Sequence, residues 1–429
     1  MDKRILEQIL TEQQEEIGLR SEERLCKRNE SKLIDLDSPQ AQVVIGVRRS
    51  GKSTLCYQAL NDAGVEFAYV DFDDERLMGL QASDLNDILE VLYKINGDFN
   101  YLFLDEIQDI DGWHLFVNRM LRRKMHIIIT GSNAKLLSSE LATHLSGRSK
   151  EIHLYPFSFP EYCEAFDVDI SKLTTKAEAF RRKAFDDYSR QGGFPELLHL
   201  QDKRSYVSRL VKNILTRDIE QRYQISYKSE FEEMAQHLLN ISPTSVVATD
   251  LKYLFHFKSE HTAKKYVDYL KQAFVLTGLR KYSRKSRVRA TKEKVYAVDV
   301  AMMDKRENAF AGDNLGWRLE TIVFSHLLRK SKIEGLDIYY LSERSSKCDF
   351  IVCKGNATVH AIQVSYDISN EKTFRREING LKTASRITGC KDLLLLTDHD
   401  RGTHKDGDLE IRIMPVYEWS ITLTQPTNE

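Results

Sequence analysis

Proline is scarce, with seven in 429 residues, and no stretch is of low complexity, so long disordered linkers are not expected. The six cysteines (Cys26, Cys56, Cys163, Cys348, Cys353, Cys390) form no CxxC pair and meet no histidine cluster at zinc spacing. They read as buried or idle thiols in a reducing compartment. No apolar run approaches the ~20 residues needed to span a bilayer. The opening MDKRILEQILTEQQEE is amphipathic and acidic, unlike a signal peptide. A cytoplasmic protein with no membrane partner is therefore expected. Charge of one sign is not in excess either, since 63 basic and 64 acidic residues leave a net charge of −1. Any attraction to nucleic acid must come from a local patch.

What is present is a globular composition, 41% hydrophobic and 30% charged, in a chain long enough for two to four domains. Residues 42–55 read QVVIGVRRSGKSTL. An apolar run from Val43 to Ile45 leads into Gly46, then Gly51-Lys52-Ser53-Thr54. This is GxxxxGK[ST] between a strand and a helix. The glycines let backbone N–H groups turn inward onto phosphates, and the helix adds its positive N-terminus. Lys52 reaches the β- and γ-phosphates, and Ser53 can hold Mg²⁺. Gly46, Arg48, Arg49, Ser50, Gly51, Lys52, Ser53 and Thr54 form the expected nucleotide loop; Arg48 and Arg49 are extra charge near phosphates or simply solvated.

A second apolar strand, NYLFLDEIQ, ends in Asp105-Glu106. Asp105 is expected to hold Mg²⁺ through water and Glu106 to polarise the attacking water. A third, HIIITGSN, brings Thr130, Ser132 or Asn133 to its C-terminal end, where a polar group can sense the γ-phosphate or be an ordinary loop polar. FAYVDF (67–72) is a fourth. Strands alternating with helices predict a doubly wound parallel α/β sheet with ligands at the carboxyl ends.

VVIGVRRSGKSTL, YLFLDEIQDIDGW, IIITGSNAKLLSSELATHLSGR, YPFSFPEY and RQGGFPELL, in this order, resemble the prokaryotic AAA-type P-loop ATPases that carry a C-terminal domain, often of restriction-endonuclease-like fold. The resemblance implies an ATPase module, a helical lid, a winged helix and a nuclease-like tail. It puts Arg148 where such proteins carry an arginine that contacts ATP, in its own chain or on a neighbouring subunit of a homo-oligomer. A surface salt bridge is the other reading of Arg148, and Arg217 is a second candidate. The expected domains are a helical segment (1–36), the ATPase core (37–168), the lid (169–226), a winged helix (227–303), a degenerate nuclease-like domain (304–423) and a short tail (424–429).

From about 228, three helical stretches precede two strands, LTGLRKYS and KVYAVDV, with Ser259 as the cap of the third helix. The turn between the strands is basic. Arg284, Lys285, Arg287 and Arg289 lie in it, positioned for phosphate-backbone contact with DNA. A docking surface for a protein partner is the alternative.

In the tail, a helix (WRLETIVFSHLLRK) is followed by strands DIYYLSE, CDFIVCK and HAIQVSY, a helix and a final strand, DLLLLTD. This order matches a restriction-endonuclease-like core. Glu320 and Asp349 fall where such enzymes place metal carboxylates. The next strand should supply Asp/Glu-x-Lys, and instead holds Gln363-x-Ser365. Glutamine is a weaker Mg²⁺ ligand and serine has no charge, so the expectation is a fold kept for binding with catalysis lost. Lys347 or Lys354 would have to migrate to restore it. The function expected overall is an ATP- and Mg²⁺-dependent ATPase coupled to DNA or protein binding. The alternatives are an ATP-gated switch with little turnover, or a residual metal-dependent DNA nuclease.

Overall fold

The computed structural model describes residues 2–132, 145, 147–283, 293–303, 314–343 and 346–423. Asn133 and the basic run Arg284, Lys285, Arg287 and Arg289 lie outside the described residues. The chain divides into two compact units, 1–155 with 272–274, and 156–271 with 275–429.

The first unit opens with α1 (Lys3–Leu19), capped by the Asp2 carboxylate, which accepts from Arg4 N at 2.8 Å. Leu6, Ile9, Leu10, Gln13 and Ile17 recur at helical spacing and form its buried stripe. The strands and helices then alternate: β1 (Ala41–Ile45), α2 (Lys52–Asp62), β2 (Phe67–Asp71), α3 (Leu85–Asn96), β3 (Tyr101–Asp105), α4 (Trp113–Arg122), β4 (His126–Gly131) and β5 (Ser149–His153). The sheet order is β2-β3-β4-β1-β5, and every pair is parallel. β1 is buried along its whole length, as a central strand covered on both faces must be. The first four strands are those expected from the sequence; β5 was not anticipated. In a parallel sheet the carboxyl ends of β1, β2, β3 and β4 share one edge, and this edge carries the polar residues discussed below.

The second unit begins with α5 (Phe159–Ala165), α6 (Thr175–Gln191) and α7 (Lys203–Asn213), the last running into a π-helical stretch, Ile214–Gln221. The YPFSFPEY and RQGGF motifs meet here. Phe157 N donates to Gly193 O at 2.6 Å, Gly193 N donates to Asp299 Oδ2 at 3.0 Å, and Tyr188 OH donates to Phe157 O at 2.9 Å. These motifs therefore fasten segments of this unit together.

Next come α8 (Lys228–Asn240), β6 (Thr244–Ser245), α9 (Ala248–Leu254), α10 (Glu260–Gln272), β7 (Leu276–Lys281) and β8 (Glu293–Ala297). The three helices and the hairpin match the expected elements, and Ser259 Oγ accepts from Thr262 N at 3.1 Å, capping α10. The tail supplies α11 (Leu315–Glu334), β9 (Asp337–Ser342), β10 (Lys347–Lys354), β11 (Ala357–Val364), α12 (Glu371–Thr388) and β12 (Leu393–Thr397). DLLLLTD, expected from the sequence to be the final strand, is not the last. β13 (Gly402–Asp406), β14 (Leu409–Pro415) and α13 (Val416–Thr422) follow, and β14 pairs parallel with β12. The polar outer face of β13 hid its strand character.

The hairpin and the tail share one nine-stranded sheet, in the order β13-β14-β12-β11-β10-β9-β7-β8-β6. The link is a parallel pairing of β7 with β9, Arg280 opposite Tyr339. An aromatic cluster reinforces it. Tyr296 of β8 lies 4.1 Å, centroid to centroid, from Phe324 of α11 and 6.2 Å from Phe350 of β10.

Candidate functional site

The loop between β1 and α2 is held by tight backbone approach. A Cβ on Gly46 would fall 2.0 Å from Leu154 O, so only glycine passes. Gly51 caps α2 in the left-handed region, at φ +93°, and Arg49 is also left-handed, at φ +67°. Two arginines missed in the sequence brace the loop. Buried Arg28 donates to Ser50 O at 3.0 Å and to Tyr155 O at 2.5 Å, and Arg20 donates to Thr54 Oγ1 at 3.3 Å. Neither belongs to a recognisable motif, so the sequence carried no signal for them. Arg48 pairs with Asp73 Oδ2 at 2.5 Å.

Lys52 is buried, with its Nζ 3.3 Å from Glu106 Oε1. The other Glu106 oxygen accepts from Gln108 Nε2 at 2.5 Å and from Ser132 N at 3.1 Å. Burial alone would raise the Glu106 pKa, but Lys52, Gln108, Arg48 and the Ser132 N–H outweigh it and hold the carboxyl below its ordinary value. Asp105 moves the other way. Burial and the Glu106 charge raise it, against hydrogen bonds from Ser53 and Thr130. Thr130 Oγ1 donates to Asp105 Oδ1 and accepts from Glu106 N at 3.1 Å. Thr130 thus orients the acid pair, and Ser132 holds Glu106 through its backbone. Tyr69 OH donates to Asp105 Oδ2 at 3.2 Å.

Asp71, opposite Asp105 in the β2–β3 register, adds a further acid that the sequence reading passed over. Burial and the Asp105 charge push it up to about 7. Its signal was available: FAYVDFDDE ends a strand in acids just as NYLFLDE does.

Arg148 lies elsewhere. It immediately precedes β5, and its carbonyl accepts from Ala41 N, at the amino end of β1. The phosphate loop leaves the opposite end of that strand, five residues on, or roughly 16 Å away. Arg148 lines a surface cavity of about 700 Å³ with Arg119 and Arg122. A contact with ATP bound in its own chain, one form of the expectation, is ruled out by that position. Arg217 sits exposed in the π-helical stretch of the second unit.

A family model described as an AAA domain matches residues 38–163, and one described as a domain of unknown function matches residues 182–310. An uncharacterized protein of Methanocaldococcus jannaschii is 30% identical over 404 residues, covering 91% of this chain and 90% of its own. An uncharacterized protein of Haemophilus influenzae is 30% identical over 401 residues, covering 89% and 94%. The chain belongs to their family. Its residues 38–163 are a nucleotide-binding AAA-type P-loop ATPase domain. A Walker-type ATPase of Pyrococcus abyssi aligns with 65% of this chain and 95% of its own at 14% identity, with a TM-score of 0.38, too slight a likeness to carry an argument.

Outside the AAA domain, the second unit of this family member holds the four tail residues singled out in the sequence around a cleft of about 900 Å³. The β9–β10 register shifts between Cys348 and Ile351, which frees Asp349 from the ladder on that side. Asp349 N donates to Gln363 Oε1 at 3.2 Å, and its Oδ2 accepts from Val364 N at 3.0 Å. Ser365 Oγ donates to Asp367 O at 3.2 Å. Lys347 lines the cleft rim, whereas Lys354 lies at the far end of β10. Among the described residues, no group of three or more histidine, cysteine, aspartate or glutamate side chains is placed to hold a metal. No described helix is long and apolar enough to cross a membrane.

Proposed function

We propose that the chain binds ATP with Mg²⁺ and hydrolyses it, and that this reaction drives binding of DNA or a protein partner by the second unit. The observation that carries the reading is the buried Lys52–Glu106 pair beside Asp105. Lys52 exchanges Glu106 for the β- and γ-phosphates when the nucleotide enters. Glu106, released on one oxygen and still held by Gln108 and Ser132 N on the other, orients the water for in-line attack. Ser53 and Asp105, already hydrogen-bonded to each other, suit a Mg²⁺, which would neutralise the phosphate oxygens. Thr130 and Tyr69 keep Asp105 facing that position.

Arg148 serves ATP on a neighbouring copy of the chain, because its own loop is out of reach. The basic run at 284–289, which follows β7 in the sequence, contacts phosphate backbone, and a triple Arg284/Lys285/Arg287→Ala change weakens salt-sensitive DNA binding. Retained affinity would favour protein docking. For residues 304–423, the order α11, β9, β10, β11, α12, β12 with β11 parallel to β12 supports the nuclease-like reading.

The test is steady-state phosphate release by the purified chain, with and without DNA. Turnover well above that of Lys52→Ala is expected. Turnover equal to it overturns the enzyme reading, and ATP binding without turnover leaves the switch.

A further inference from the structure

The acids that end β2 and follow it, in DFDDE, tie the phosphate loop to the N-terminal helix. Asp73 Oδ2 pairs with Arg48 Nη2 at 2.5 Å, with 44% and 18% of the two side chains exposed. Asp73 N donates to Asp71 Oδ1 at 2.9 Å. The next residue, Asp74, starts a single 3-10 turn, Glu75–Leu77, and its Oδ1 accepts from Arg76 N at 3.0 Å. Its Oδ2 accepts from Gln13 Nε2 of α1 at 2.9 Å. Gln13 is polar yet only 2% exposed. It also donates to Asp71 O and accepts from Asp71 N, each at 3.0 Å. Arg76 pairs with Asp74 at 2.8 Å and with Glu12 of α1. One short segment, 71–76, therefore holds the phosphate loop through Asp73 and α1 through Asp74, Arg76 and the Asp71 backbone.

The Arg48 end of this link lies beside the buried Lys52–Glu106 pair. Burial acts to raise the Glu106 pKa, and Lys52, Gln108 and Arg48 together hold it low, so the Arg48 guanidinium is within electrostatic reach of the pair. A γ-phosphate placed against Lys52 arrives within reach of Arg48 as well. Two acceptors then compete for one guanidinium. An ion pair as open to solvent as Arg48–Asp73 is weak and screened by salt. A phosphate carries more charge and accepts the guanidinium fork bidentately. The exchange therefore runs toward the phosphate when ATP is bound. ADP has no γ-phosphate and leaves Arg48 on Asp73.

We propose that Arg48 and Asp73 together distinguish ATP from ADP, Asp73 holding Arg48 until a γ-phosphate takes it, and that the release of Asp73 loosens residues 73–76 from α1. The inference rests on the reading of Lys52 and Glu106 as the place of the γ-phosphate, and adds a reporter to it. Arg48 touches the nucleotide, whereas Asp73 acts through Arg48 and is a positioning residue. Once Arg48 has left, Asp73 shares a cavity with Asp74, Glu75, Glu12 and Glu16, and the like charges repel. That cavity has a volume of about 500 Å³, so the segment has room to shift. Asp74 and Arg76 move with Asp73, and their contacts with Gln13 and Glu12 open. Hydrolysis and loss of phosphate return Arg48 to Asp73 and close them again. The two nucleotides thus make different contacts in the two states, which is what an equilibrium shift requires.

The full chain is titrated calorimetrically, in Mg²⁺, with ADP and with the β,γ-imido analogue of ATP, and amide exchange is followed with each nucleotide bound. The parent is expected to prefer the ATP analogue. Arg48→Gln lowers the ratio of ATP-analogue to ADP affinity about tenfold, and Arg48→Lys restores part of it. Asp73→Asn removes the charge that competes for Arg48 and raises the same ratio about fivefold. A merely structural role moves neither ratio, since a loosened phosphate loop weakens both nucleotides alike. Amides of 73–76 and 12–17 exchange faster with the ATP analogue than with ADP, and in Arg48→Gln the two nucleotides give equal rates. If neither nucleotide binds, the nucleotide reading and this inference fall together. If both bind and Arg48→Gln keeps the parent's ratio, the nucleotide reading stands and the Arg48–Asp73 exchange is overturned. If the ratio falls while α1 exchanges alike with both nucleotides, the exchange stands and its transmission to α1 is overturned.

Discussion

The two units build polar sites on sheets by different routes. In the first, five parallel strands bring their carboxyl ends to one edge, and the chemistry sits where each strand stops: Gly46 after β1, Asp71 ending β2, Asp105 ending β3, Thr130 near the end of β4. These four positions all lie at or near strand ends, so the sheet topology brings them together, with Lys52 and Ser53 added by the first turn of α2. In the second, the cleft lies along the middle of a mixed nine-stranded sheet. It needs a register shift at Asp349, a helix carboxylate at Glu377 to hold Gln363, and a lysine from β8, three places along the sheet from β10, to hold Glu320. A parallel sheet edge makes a site from local sequence. An interior cleft makes one from side-chain reach.

The largest expected effect tests the first half of that contrast. Glu106→Gln keeps the shape and the Gln108 and Ser132 contacts but removes the charge. ATP turnover should fall by ~10²–10³-fold, while ATP affinity holds or rises, since Lys52 loses a competitor for the phosphates. Measured by phosphate release and by equilibrium binding of a fluorescent ATP analogue, a loss of binding equal to the loss of turnover would mean that Glu106 holds the loop together and does not act on water.

That contrast also explains what could be read from the sequence. Gly46 to Thr54 and Asp105-Glu106 are contiguous runs whose spacing is fixed by one strand, one turn and one helix, so pattern sufficed. Thr130 and Ser132 were legible as positions, but not in their actual engagement with the acid pair, which depends on β3 and β4 being neighbours. Arg28 braces the loop from outside any motif. Lys294 stood in plain view as part of a basic run, yet nothing in KEKVYAVDV says that β8 reaches Glu320. The parallel β7–β9 pairing that brings it there joins residues far apart in the chain. β13 escaped because GTHKD is polar and lies on the sheet edge, and β14 is a short alternating run, LEIRIMP, beside it.

A smaller effect separates the units by pH. His326 is fully buried and held to about 4 by burial and by the Arg329 charge. Its Nε2 accepts from Phe159 N at 3.1 Å, and its Nδ1–H donates to Ile322 O at 2.9 Å. A histidine whose folded pKa lies below its unfolded value stabilises the fold above about 6.5, and that contribution is lost as pH falls from there to 4. The loss is roughly 3 kcal/mol over that window, falling on the second unit alone. Asp349, pushed up to about 8 by burial and the Glu320 charge, works with the opposite sign across that whole window, so the comparison is with His326→Gln. The parent should lose stability between pH 6.5 and 4.5 faster than the variant in denaturant titrations, while ATP binding keeps the same pH profile in both. Parallel slopes would mean that the ring is not buried neutral.

The smallest effect concerns a feature that local sequence did specify in the second unit. Ser259 Oγ takes the N–H of Thr262 and so satisfies one of the free donors at the start of α10. Ser259→Ala leaves that donor to water and should cost about 1 kcal/mol. Because the cap is local, the cost should appear first as faster amide exchange in the opening turn of α10, by about fivefold, with exchange in β10 and β11 unchanged. The contrast drawn above requires this restriction. A cap belongs to its own helix, as the phosphate loop belongs to its own strand and turn, whereas the cleft belongs to no single segment. If losing one hydroxyl on α10 loosened β10 and β11 as well, the second unit would be coupled tightly enough for its local features to report on the cleft, and the division between locally specified and assembled sites would not hold there.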